Sequence, residues 1–446
     1  IKRQEEIKTE DNTKIGANQC GPSLTYSIEN YELKISGNGE MFDYKFDFES
    51  YLEPKTDAPW DSIKQNIIKI TLSQFMTNIG SYSFYYFSSL NTINIPSSIT
   101  YIGSYAFSYC SNLNNIIIPK SVENIGHSTF SYCSSLKTIE FLNDATNLSF
   151  NIFDNCNNLE NLKLPKNLIT INSLIFHGCA KLSSIEIPEN VENIDSGAFQ
   201  LCSSLISIVV PAKVVTIGSY SFSECTNLET VSLPSSLRSI GLYAFYNCYN
   251  LHTINIPNDI TALGEFTFSG CQSLKDIFIP DRVSSIGSSC FSNSGLKSIK
   301  IPSSISIISQ SLFSSCSQLT SITLPESIIS INDNSFYYCY NLQSISLPAS
   351  LLSIGSYAFS YCTLLQNITI PYGVTTILTG SFSHCEYMKS ILLPETITLI
   401  SSWAFQNCYS LESIIIPTKV TSINSYTFEN CYSLMKMKAQ YAETYR

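Results

Sequence analysis

Apolar positions along this chain recur with a fixed period. From Pro96 the sequence reads PSSITYIGSYAFSYCSNL, then NNIII, then the next proline, Pro119. In that stretch Leu113, Ile116 and Ile118 are apolar and the last positions alternate with polar ones. This predicts a short strand with one face buried. Proline cannot donate to a strand ladder, so Pro119 ends the strand. Ile99 and Ile102 predict a second buried segment, followed by a turn at Gly103-Ser104. Ala106, Phe107, Cys110 and Leu113 then come at spacings of one, three and three, compatible with a short helix or 3₁₀ turn.

The same stretch returns every 23 residues. Phenylalanine marks it at 84, 107, 130, 153, 176, 199, 222, 245, 268 and 291, then at 313, 336, 359, 382, 405 and 428, which gives sixteen repeats. Two are irregular: the repeat around Phe291 has lost one residue (FSNSGLKS), and the one near Leu142 has no proline (FLNDATNLSF). No single repeat can bury its apolar side chains alone, so a period of this size predicts stacked repeats sharing one core. The fold class expected is an α/β repeat solenoid of about sixteen 23-residue turns. One face carries a parallel sheet with strands ~4.8 Å apart; short strands and 3₁₀ or helical turns make the other. Solenoids commonly bind through one extended concave face.

The ends differ from the middle. Residues 1–60 hold 12 Asp/Glu and 7 Lys/Arg, against 23 and 18 in the remaining 386. The chain is expected to comprise a polar tail (1–19), a small N-terminal β cap (20–66), the repeats (67–438) and a C-terminal tail (439–446). Within the cap, Leu24–Ile28 and Tyr31–Ser36 read as strands, with Gly37-Asn38-Gly39 after them. No matching cap follows Cys431, so the natural chain is expected to continue past Arg446, for example into a stalk and membrane anchor. An uncovered edge there favours self-association.

Composition narrows the function. The chain is 44% hydrophobic and only 13% charged, which excludes intrinsic disorder. A net charge of -10 leaves no basic footprint for nucleic acid. No apolar run is long enough to span a bilayer.

Sixteen cysteines suggest a disulfide framework until their spacing is read. Cys110, Cys133, Cys156, Cys179, Cys202, Cys225, Cys248 and Cys271 are 23 apart, as are Cys316, Cys339, Cys362, Cys385, Cys408 and Cys431. Stacked cysteines could geometrically bridge, since disulfide Cα separations run ~4.4–6.8 Å. A metal site needs converging ligands at closer spacings. Each ladder cysteine is expected to be one small buried hydrophobe per turn; Phe87 in the first repeat's cysteine position agrees with packing. Cys20 and Cys290 lie off the ladder without an obvious partner.

Catalytic chemistry finds little support. The four histidines, His127, His177, His252 and His384, occupy four different repeat positions. His384 beside Cys385 resembles a dyad only on paper, because a ladder cysteine should point inward. No phosphate loop, H-E-x-x-H or G-x-S-x-G occurs. The expectation is a chain that is not an enzyme and needs no metal or cofactor.

Surface positions carry more. The residue two before each proline should point out of the sheet. In that column Phe278 stands beside Lys275, with Lys297 and Lys300 on the next strand, and an outward aromatic among cations can anchor a partner. A second column, nine after the proline, is aromatic at Tyr82, Tyr105, Tyr220, Tyr243, Phe266, Tyr357, Trp403 and Tyr426; tyrosine also recurs just before the ladder cysteine. These columns either stack on one another or contact protein or glycan. Two N-x-[ST] acceptors stand at Asn147 and Asn367.

The unit P-x-x-[IVL]-x-x-I-G-x-x-A-F-x-x-C-x-x-L-x-x-I-x-I strongly resembles the BspA-like leucine-rich repeat, from about Ile67 to Leu434. CGPSLTYSIENYELKISGNGEMFDY, then Ala58–Trp60, is similar to the cap that often precedes such repeats. The resemblance implies a cell-surface or secreted protein acting as an adhesin, with a host matrix or cell-surface protein as partner. Glycan is the alternative ligand, through the tyrosine columns.

Overall fold

The structure, a computed structural model, describes residues 18–47 and 55–439. It divides into two compact parts, Ile1–Asn157 and Asn158–Arg446. Each is a coil of stacked repeats, and among the described residues the one helical element is a 3₁₀ turn, Asp61–Asn66.

The first part opens with the cap. Strands β1 (Gln19–Gly21), β2 (Leu24–Glu29) and β3 (Glu32–Gly39) pair in antiparallel order. Asn30 and Tyr31, at φ 50° and 62°, make the left-handed pair that a two-residue hairpin turn needs. β3 then pairs in parallel with Lys69–Thr71 and with Phe75–Met76, so the hairpin covers the open edge of the first repeat. That second pairing extends the strand past the Ser36 boundary read from the sequence: Asn38 and Gly39 are ladder residues, opposite Phe75 and Met76. Gln19 likewise belongs to β1 rather than to the polar tail, of which 1–17 lie outside the described residues. At the other end Lys436–Ala439 still pairs with Ser413–Ile416, and 440–446 lie outside them.

Most coil turns have two strand segments. One precedes the proline (Asn115–Ile118 on Thr138–Phe141) and one follows it (Tyr101–Ile102 on Asn124–Ile125). Within the paired strands each residue faces its equivalent one repeat on, and the alternation reads directly: Ile116 and Ile118 are buried, Asn115 and Ile117 exposed.

The third segment is not the expected helix or 3₁₀ turn. It is a chain of turns with two left-handed residues per repeat, four apart. Apart from Asn18, Asn30 and Tyr31, every non-glycine residue with positive φ lies in one of these two columns, and Gly178, Gly197, Gly270 and Gly380 fill the remaining places. Left-handed backbone costs a side-chain-bearing residue roughly 1–2 kcal/mol. The return is a hydrogen-bond ladder. Alternating handedness points successive N–H groups along the stack: Tyr220 donates to Leu242 O, Phe222 to Ala244 O and Glu224 to Tyr246 O, at 2.9, 2.9 and 2.7 Å. An α-helix would turn those donors inward on its own repeat.

The core is a column of rings. Phe84, Phe107, Phe130 and Phe153 stack in the first part, and Phe176 through Phe428 in the second. Trp60 heads the first column. Its buried ring lies 6.0 Å from Phe84 at 20°, Tyr26 and Tyr44 meet its edges, and its indole N–H donates to Ser83 O at 2.6 Å.

Glycine in the I-G pair serves close approach. A Cβ on Gly241 would stand 2.3 Å from Ser219 N and 2.5 Å from Gly218 C of the preceding repeat. Gly241→Ala is therefore expected to force adjacent turns apart and cost about 1–3 kcal/mol, as overpacking does. Thermal unfolding of the variant checks it; an unchanged Tm would mean the turns yield freely.

Candidate functional site

The outward side of the strands before the prolines is a surface of uncharged polar residues with isolated apolar points. Val209, Phe278, Leu392 and Ile415 stand out in one column, at 70, 65, 59 and 50% exposure. Between them come Ser232, Asn255, Lys300, Thr323, Ser346 and Thr369.

The strand ladder on this side of the second part is discontinuous. Ser207–Val209, Thr230–Ser232 and Thr253–Ile254 form one block, Ser298–Lys300 and Ser321–Thr323 another, and Asn367–Thr369, Ser390–Leu392, Ser413–Ile416 and Lys436–Ala439 a third. Residues 184–187, 276–279 and 344–347 belong to no strand, and their backbone N–H and C=O groups make no backbone hydrogen bonds. Backbone polar groups are nearly always satisfied, and these openings leave backbone donors and acceptors without a backbone partner among the described residues. Two coincide with clefts. One of about 760 Å³ surrounds 344–347, and one of about 420 Å³ lies at 184–187, lined by Lys163, Lys166, Glu186 and Glu189 among others.

Phe278 sits in the middle opening. Lys275, Asp276, Lys297 and Lys300 are exposed around it, while Ile277 and Ile279 face the core. Each member of the sequence grouping, Phe278, Lys275, Lys297 and Lys300, is exposed, and Lys297 N–H donates to Lys275 O of the preceding repeat at 2.9 Å. The openings themselves were missed, because the residues in them follow the repeat pattern as well as their paired neighbours do.

The aromatic columns turn out to be the two left-handed columns. Tyr220, Tyr243 and Phe266 stack face to face at 4.7 and 4.6 Å, as Tyr109 and Tyr132 do at 4.5 Å. Their faces cover one another and their edges are left to solvent. The signal for this backbone lay in the same columns, where Asn151, Asn334, Asn155, Asn247 and Asn407 alternate with glycine; these are the residues that best tolerate positive φ.

All sixteen cysteines are free thiols. The ladder residues fill the core beside the phenylalanines, and they also donate. Cys225 Sγ lies 3.1 Å from Phe199 O of the preceding repeat, Cys248 Sγ 3.1 Å from Phe222 O, and Cys133 Sγ 3.1 Å from Phe107 O. The same carbonyl already accepts an N–H from its own repeat (Cys225 N to Phe222 O, 3.2 Å), so the thiol satisfies its second lone pair. Burial pushes these thiols up, Cys133 to about 12 and Cys316 to about 11. Cys290 fills the column of small residues before phenylalanine that Ser221, Ala244 and Thr267 occupy elsewhere, and burial pushes it to about 12.

His127 and His384 stand in the aromatic stacks. His384 lies 4.0 Å from Tyr361, ring on ring, with Asn407 Nδ2 2.9 Å from its Nε2, and burial lowers its pKa. Cys385 points the other way, its Sγ 3.2 Å from Phe359 O, so the pair makes no dyad. Among the described residues no group of three His, Cys, Asp or Glu could hold a metal ion, and no helix is long and apolar enough to cross a membrane.

A family model described as the BspA type leucine-rich repeat region matches residues 63–157, 146–264, 196–320, 238–366 and 306–435. No curated protein matches the chain. Among solved structures, a leucine-rich repeat protein from Bacteroides ovatus is 23% identical, aligned over 94% of this chain and 99% of that one, with a TM-score of 0.60. This likeness shows a shared fold. A leucine rich cell surface protein from Faecalibacterium prausnitzii is 23% identical over 95% of each chain, TM-score 0.41. The T. pallidum leucine-rich repeat protein is 30% identical over 41% of this chain and 75% of its own, TM-score 0.31.

Proposed function

This chain belongs to the BspA-type leucine-rich repeat family, and from that premise we propose that it is a non-catalytic cell-surface or secreted adhesin that binds host matrix or cell-surface proteins. The observation that carries the reading is the Phe278 patch. A fully outward aromatic, 65% exposed, is surrounded by Lys275, Lys297 and Lys300 on a face that the core does not use. Hot spots at protein interfaces are aromatic anchors ringed by polar contacts. The absence of any assembled nucleophile, base and orienting group among the described residues fits a binding role.

The glycan alternative through Tyr220, Tyr243 and Phe266 is less well served, since those rings spend their faces on one another.

Biolayer interferometry against immobilised host matrix proteins and mucins tests the proposal. Saturable binding to at least one matrix protein is expected, weakened tenfold or more by Phe278→Ala and weakened by salt, as lysine contacts require. No saturable binding, or binding indifferent to Phe278→Ala, overturns it. The substitution is at an exposed position and should leave Tm within a degree or two.

A further inference from the structure

We propose that the cleft around residues 344–347 is a separate binding site for an uncharged oligosaccharide. The cleft has a volume of about 760 Å³ and lies between Ser321 and Tyr372 on the outward strand side. It does not depend on the Phe278 reading, because its residues and chemistry are different.

Three observations select the ligand class. The first is hydrogen-bonding capacity. The backbone of 344–347 makes no backbone hydrogen bonds, and the exposed hydroxyls of Ser344, Ser346 and Thr369 face the same space. Asn367 accepts from Ser390 Oγ at 2.8 Å through Oδ1, which leaves its amide N–H groups for a ligand. Such a mixture of donors and acceptors at close spacing matches a polyhydroxyl ligand, each of whose hydroxyls both donates and accepts.

The second is an aromatic wall. Tyr372 follows Pro371 at the rim and is 72% exposed. Unlike Tyr220 or Tyr243, it has no ring stacked on it among the described residues, so its apolar face is available for the C–H face of a sugar.

The third is charge. None of the twelve residues lining the cleft is charged. The outward positions of the three repeats concerned read Thr320, Ser321, Thr323, Gln343, Ser344, Ser346, Gln366, Asn367 and Thr369. Lysines return only at Lys297 and Lys300 before them and Lys389 after. A sialylated or sulfated glycan would leave its anion unpaired here, at a cost an uncharged one avoids.

An extended peptide fits less well. The strands Ser321–Thr323 and Asn367–Thr369 each leave an edge unpaired toward 344–347, but the coil there already lies between them, tied to both sides by Gln343 N–H to Thr320 O and Gln366 N–H to Gln343 O, so an added strand has no room to pair.

The test is a glycan array of uncharged hexose and N-acetylhexosamine oligosaccharides printed beside sialylated and sulfated ones. The full chain is probed as wild type, Tyr372→Ala, Ser346→Lys and Phe278→Ala. The proposal expects binding to uncharged oligosaccharides, reduced at least tenfold by Tyr372→Ala and by Ser346→Lys, and unchanged by Phe278→Ala. Hydrogen exchange with the best array ligand should slow at the amides of 344–347. Binding confined to charged glycans, no glycan binding, or binding that survives both cleft substitutions overturns it. Loss through Phe278→Ala alone would assign the sugar to the other patch and overturn it equally. All three positions are exposed, so misfolding does not confound the comparison.

Discussion

Raising the pH from 8 to 10.5 is expected to unfold this chain, with most of the loss beginning near pH 9. The cause is the thiol ladder. Burial holds Cys133 and Cys290 near 12 and Cys316 and Cys431 near 11, and it raises Cys110, Cys202, Cys248 and Cys339 well above the ordinary range. In the unfolded chain the same groups titrate near ~8.5. Below that value both states keep their protons and stability is fully present. Above it the unfolded state releases protons that the folded state retains, so stability falls as pH rises toward the folded values. Each buried thiol weakens folding by roughly tenfold per pH unit in that window, and the ladder repeats the effect in nearly every turn. Buried tyrosines such as Tyr85, also raised by burial, add the same sign at higher pH. Urea midpoints measured from pH 7 to 10.5 check this. A plateau to about pH 8 followed by steep decline is expected, and a flat profile to pH 10.5 would mean the thiols are not buried as described. A thiol reagent at pH 8 should label the native chain on the order of a thousandfold more slowly than the urea-unfolded chain, since the thiolate is the reactive form.

Phe222→Ala is expected to destabilise the chain by about 3–5 kcal/mol, the usual cost of emptying a large buried aromatic site. Phe222 is fully buried and stacks on Phe199 at 5.3 Å and Phe245 at 5.5 Å, nearly parallel to both. Its backbone bonds, N–H to Ala244 O and C=O from the Cys248 thiol, need no side chain and survive. The loss is thus a packing loss, and neighbouring turns cannot collapse into the void without breaking those ladders. Because each repeat touches only its neighbours, hydrogen exchange should accelerate most between residues 199 and 245. A change under 1 kcal/mol would show the ring column to be dispensable.

The period, the strand before the proline and the inward set were legible because each follows from side-chain identity. Ile116, Ile118, Phe107 and Cys110 are all buried as their spacing required. The left-handed turns were not read, because Ala106, Phe107, Cys110 and Leu113 would be buried at one-three-three spacing on a helical turn as well. What distinguishes the two backbones is the pair of columns at Tyr105 and Tyr109, where asparagine and glycine recur in other repeats. The thiol's second role was hidden for a similar reason: a small buried residue and a small buried donor look alike in sequence, and only the 3.1 Å approach of Cys225 Sγ to Phe199 O separates them. The candidate site was half legible. Phe278 and its lysines stood out as types, whereas the openings at 276–279 and 344–347 are a backbone property that Ser344, Ile345 and Ser346 share in sequence with paired strands.

The account rests on recognition through the outward strand side, with the opposing turns serving structure. Since every native thiol except the partly exposed Cys431 is buried, one cysteine introduced into a Cys431→Ser background can be coupled to a bulky polyethylene glycol maleimide alone. Lys300→Cys places it beside Phe278, and Glu265→Cys places it on an exposed turn. Binding of both conjugates to the host matrix protein that captures the unmodified chain is the measurement. The account predicts that the conjugate at 300 loses capture and the one at 265 keeps it. Capture kept at 300 and lost at 265 would contradict it.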